Sequence, residues 1–114
     1  MNPLHRDLMH ALDALGTTGA AVAVTLLRGR WTGLRHDGLR CPVSNYIVAV
    51  VPHAEVASVT RNRITVISTD GEMYEVPLPA GATQFVSEFD AGEYDDLAAI
   101  LTDIDGEVID DLER

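Results

Sequence analysis

The sequence predicts a single α+β domain packed in two layers, and three observations carry that expectation. Leucines recur at helical spacing near the N-terminus, three β-rich runs separated by turn residues fill positions 56–76, and the last twenty residues set an apolar helical stripe in a dense acidic surface. The expected order is N-terminal helices, a three-stranded antiparallel β-meander over about 56–76, and acidic C-terminal helices. All of it belongs to one domain over 1–114, with 93–114 able to dock as a separate segment.

Asn2 and Pro3 suit an N-cap and a first helical position, and Leu4, Leu8, Leu12 and Leu15 follow at spacings of four and three, up to Gly16. Residues 20–28 are rich in small and β-branched side chains, which suits a short buried helix stopped by Gly29 or a strand; helix is the expectation. Residues 28–40, RGRWTGLRHDGLR, hold three glycines and no sustained apolar period, which predicts a loop turning at Asp37 and Gly38. Between Pro42 and Pro52, Val43, Tyr46, Ile47, Val50 and Val51 keep helical spacing, although the β-branched run 47–51 also fits a buried strand.

The runs VASVT, RITVIST and EMYEV are parted by Arg61-Asn62 and by Asp70-Gly71, and Asp-Gly between such runs signals a two-residue hairpin. Pairing Thr60 with Arg63 and Thr69 with Glu72 puts Ala57, Val59, Ile64, Val66 and Met73 on one face. Ser58, Thr65, Ile67, Tyr74 and Val76 then share the other. That second face is more apolar than a solvated one, so a partner or the chain's own helices are expected to cover part of it. A short helix is predicted over 82–89 from Phe85, Val86 and Phe89. A longer one is predicted over 94–112 from Leu97, Ile100, Leu101, Ile104, Val108, Ile109 and Leu112, weakened by about 1 kcal/mol at Gly106.

The net charge is −10, and its distribution is uneven. Residues 1–66 carry seven Arg against four acids; residues 67–114 carry one against fourteen. Six of the eight cations lie in 28–63 together with the only Trp, so that stretch is the candidate contact surface: Arg28, Arg30, Trp31, Arg35, Arg40, Arg61 and Arg63. A single cysteine, Cys41, excludes an intrachain disulfide and a cysteine-built zinc site. No apolar run approaches the roughly 20 residues needed to span a bilayer, and 1–6 lack a signal-peptide layout, so the expected location is cytoplasmic, without a membrane partner.

No motif fixes a reaction, metal or cofactor. TDIDGE at 102–107 fails as a calcium loop, because with Gly106 sixth the first and twelfth ligands would be Leu101 and Leu112. The four histidines do not fall at ligand spacing, and Cys41 reads as a buried small side chain rather than a nucleophile paired with His36 or His53. Arg28-Gly29-Arg30 resembles the RGR centre of AT-hook peptides over three residues, with Trp31 where those peptides usually have proline. Helices before a β-hairpin also match the element order of a winged helix. Those resemblances imply nucleic-acid binding, with Arg61 and Arg63 as wing contacts; against them, 43–51 has no Arg or Lys to read a groove, and the net charge repels phosphate. The competing reading pairs the arginines with acids of this chain or of a second copy. The expected function is therefore non-enzymatic: a self-associating adaptor, regulator or accessory subunit acting through protein contacts, with a nucleic-acid-binding transcriptional regulator as the alternative.

Overall fold

The computed structural model describes residues 3–98 and, as backbone, residues 101–102 and 108–109. Helix α1 spans Pro3–Leu15 and turns Leu4, Leu8, Ala11, Leu12 and Leu15 inward. Gly16, at φ +128, breaks it in a conformation that side chains disfavour. Thr18 then caps α2 (Gly19–Gly29), its hydroxyl accepting from the Ala21 N–H at 3.1 Å. The α2 end is a two-bond left-handed cap built without glycine at its centre: Arg30 sits at φ 60, and the Arg30 and Trp31 N–H groups donate to Leu27 and Leu26 at 3.0 and 2.9 Å.

Helix α3 (Pro42–Val50) settles the helix-or-strand question for that stretch. Cys41 is its N-cap, with Sγ accepting from the Ser44 N–H at 3.5 Å, and Pro42 takes the first helical position. The Tyr46 hydroxyl donates to the Ala11 carbonyl at 2.9 Å and ties α3 to α1.

Strands β1 (Ala54–Val59), β2 (Arg63–Ser68) and β3 (Met73–Pro77) form the antiparallel meander in the order β1-β2-β3. The first turn is as expected: Thr60 donates to the Arg63 carbonyl at 2.9 Å across Arg61 and Asn62. The second is not. Ser68, rather than Thr69, pairs with Glu72, closing a three-residue loop in which only Gly71 has positive φ (+89). Val66 therefore faces Tyr74 and Ile64 faces Val76. The expected inward Met73 lies outside opposite Ile67, while Tyr74 and Val76 turn inward. The physical reason is Glu75, which the expected register would have turned into the core beside Met73; an unpaired buried carboxylate costs several kcal/mol.

Helix α4 (Ala80–Asp90) stacks Phe85 on Phe89 at 5.5 Å between ring centroids and packs against α2. The contact is close: a side chain at Gly19 would strike Glu88, and the Gly19 N–H donates to Gln84 Oε1 at 2.7 Å. Buried side chains from all four helices and the inner sheet face form one cluster. The helix expected over 94–112 is not what the described part of that range forms. Tyr94 is left-handed at φ 59, Asp95–Leu97 is a 3₁₀ turn, Ala98 bridges Gly33 in parallel, and β4 (Leu101–Thr102) pairs with β5 (Val108–Ile109). The rest of the predicted acidic helix lies outside the described residues. No single helix among the described residues is long and apolar enough to cross a membrane.

Candidate functional site: the arginine loop and the open sheet face

The predicted loop leaves α2 at Arg30 and re-enters helix at Pro42, and main-chain bonds fix both ends. Gly33 N–H donates to Leu97, Leu34 N–H to Arg40, and Asn45 Nδ2 to Thr32 at 3.0, 2.8 and 2.7 Å. A side chain at Gly33 would collide with the Arg40 carbonyl, so the loop's two arms meet backbone to backbone there.

The arginines on this frame divide into two groups. Arg35 is a staple: Nε donates to the Phe89 carbonyl at 2.6 Å, Nη2 to the Glu93 carbonyl at 2.8 Å and to Asp95 Oδ1 at 3.0 Å, and the guanidinium lies 4.8 Å from the Phe89 ring centroid. It caps the carboxyl end of α4 with a cation, where the free carbonyls favour positive charge. Arg40 pairs with Asp37 in its own loop, and Arg63 pairs with Glu75 on the sheet, both at 3.2 Å. Arg28, Arg30 and Arg61 are exposed and have no ion pair among the described residues. Trp31 is half-buried, its ring edge-on to Tyr46 at 6.2 Å, so it anchors the loop to the core. The seven predicted residues are spread over several elements: Arg28 and Arg30 mark the end of α2, whereas Arg61 tips the first hairpin and lines a cleft with His36 and Asp37 of the loop. Nor is Arg28-Gly29-Arg30 extended, as a groove-binding peptide requires, because it is wound into the last turn and cap of α2.

A cleft of about 470 Å³ opens beside the loop, with His36, Cys41, Thr60, Arg61, Ser87 and Asp90 in its lining. Its chemistry is occupied by structure. Burial pushes the Cys41 thiol up from its ordinary pKa, with nearby Asp90 adding to the effect, so the group is a neutral helix cap at physiological pH. Asp90 Oδ1 accepts from the His36 backbone N–H at 2.9 Å, holding that residue at φ 59. Among the described residues no group of three His, Cys, Asp or Glu is placed to hold a metal.

The outer sheet face carries Ser58, Thr65 and Ile67 as the sequence predicts, but with Met73 and Glu75 in place of the expected Tyr74 and Val76. Val56, Ile67 and Met73 are direct cross-strand neighbours, and all three are exposed, Met73 to 69%. Across the β1 edge the row continues into a hollow of about 340 Å³ that Val56 shares with Leu39 and Val48. These five are most of the eight exposed large hydrophobic residues among the described residues, so the exposed apolar surface is concentrated rather than scattered. The detectable signal was the parity of β3, since Met73 and Glu75 must share a face. No family model, no curated protein and no solved structure matches this chain.

Proposed function

We propose that this is a small acidic cytoplasmic protein without enzymatic activity that works through protein–protein contacts, as an adaptor, regulator or accessory subunit. The observation that carries this reading is the one-sided sheet. Its inner face belongs to the core, while its outer face presents a continuous apolar row on a soluble-type, highly charged surface. The five side chains expose on the order of 400 Å², within the range where a monomer's largest apolar patch is often functional. Arg28 and Arg30 offer a second, cationic contact at the end of α2, independent of the sheet. The test is site-specific photo-cross-linking in the source cells, with the probe at Ile67, at Arg28, or at the exposed control Thr17. A discrete protein adduct at Ile67 or Arg28 and none at Thr17 supports the reading. No adduct at either position, together with a monomeric mass by sedimentation, refutes it.

A further inference from the structure

The partner's chemistry can be narrowed from what rims the apolar row, an inference that rests on the protein-contact reading. Glu55 stands beside Val56 at a β-bulge, and Glu75 lies next to Met73 on the same face of β3. Among the described residues the strands place one cation on this face, Arg63, and its pair with Glu75 offsets both charges, so with Glu55 the face stays net negative. An apolar strip between carboxylates selects a ligand with an apolar stripe between cations. A second copy does not supply one. Each copy carries a net charge of −10, α1 and α2 have one Arg each, and α3 and α4 have no cation at all. From Met73 on β3 to Val56 on β1 is two inter-strand spacings, about 10 Å at about 4.8 Å each, and the Leu39–Val48 hollow lies at the β1 edge beyond, a reach that two to three turns of helix cover.

We propose that the open sheet face binds a cationic amphipathic helix of a partner protein. The helix crosses the strands, seats one apolar anchor in the hollow formed by Leu39, Val48 and Val56, and lays its next turns over Ile67 and Met73. Its Lys or Arg residues meet Glu55 and Glu75.

The probes are two fluorescent 14-residue helical peptides, one of Leu and Lys with the leucines on one face, the other with Glu in place of Lys. Titration by anisotropy, with amide NMR to map the contact, is expected to show the Lys peptide binding at least about tenfold tighter than the Glu peptide. Shifts should concentrate at Leu39, Val48, Val56, Ile67 and Met73. Met73→Glu, at a side chain too exposed to support the core, should weaken the Lys peptide, whereas Val24→Glu, on the exposed side of α2, should not. Glu55→Lys should weaken the Lys peptide and strengthen the Glu peptide. Equal binding of the two peptides, shifts spread over the acidic surface or centred on α2, or indifference to Met73→Glu each overturns the proposal. If Ile67 cross-links to a protein in cells but the Lys peptide fails these tests, the contact reading stands and this inference falls.

Discussion

An Arg35→Met substitution keeps an unbranched apolar stem against Phe89 and removes the guanidinium fork, so it isolates what the charge contributes. The wild-type group is only 26% exposed in its side chain and makes three hydrogen bonds plus a ring contact. The bond to the Phe89 carbonyl is the most sheltered and is worth about 1.5–3 kcal/mol as a charged donor. The exposed ion pair to Asp95 adds about 0–1 kcal/mol, and the ring contact about 0.5–1 kcal/mol. With the Glu93 bond discounted for its exposure, the expected loss is about 3 kcal/mol, a large share of a small domain's stability. Urea denaturation followed by far-UV circular dichroism measures it, with an unchanged m-value showing that the transition stays two-state. Arg61→Gln, in the exposed first hairpin turn, should move stability by less than about 0.5 kcal/mol, because its side chain has no ion pair among the described residues. If Arg35→Met also stays within 0.5 kcal/mol of wild type, the staple is refuted and Arg35 returns to the set of free contact residues.

The remaining predictions concern single groups. Arg30→Gly should stabilise the protein by about 0.5–1 kcal/mol in the same denaturation assay, because a left-handed cap at φ 60 suits glycine better than any L side chain. Cys41 should react with a thiol reagent at pH 8 only as fast as the protein opens. Cys41→Ser should keep the α3 cap, while Cys41→Val should cost about 1 kcal/mol through its loss. Tyr94 is pushed up to about 12, first by its hydrogen bond to Glu88 and then by burial, so ultraviolet titration should show one tyrosine ionising near there and Glu88→Gln should lower it. Raised folded-state values for Cys41, Tyr46 and Tyr94 mean stability that is intact at neutral pH and falls as pH rises through the ordinary thiol and phenol range; a flat alkaline stability profile would contradict this.

Much of the fold can be read from local pattern. Leucine spacing finds α1, the two prolines bracket α3, and Arg61-Asn62 marks the first hairpin in its observed register. What escapes is whatever depends on distant backbone. Composition groups six arginines into one basic stretch, but the partners of Arg35 are main-chain carbonyls 54 and 58 residues away, which carry no sequence signature. The described start of the C-terminal stripe departs from helix for a related reason. Apolar spacing over 94–112 is helical, yet Tyr94 turns left-handed to place its ring 5.3 Å from Phe85, and Ala98 is drawn extended beside Gly33. Tertiary contacts override a periodic pattern there.

The second hairpin differs in kind, because its information was present and local. Asp70-Gly71 fits a two-residue or a three-residue loop, and the Ser68 hydroxyl decides locally by donating to Asp70 and accepting from the Glu72 N–H. Globally, Glu75 decides, since only the longer loop keeps its carboxylate in water and against Arg63. Exposure of Met73 follows automatically from that choice, but an apolar residue there does not. The next row on the same face, Ser58–Thr65–Glu75, is polar throughout, so outward positions of this sheet do not require apolar side chains. Backbone constraints therefore account for where residues 56, 67 and 73 point, and leave the hydrophobicity of the exposed Met73 as the part that the proposed contact is invoked to explain.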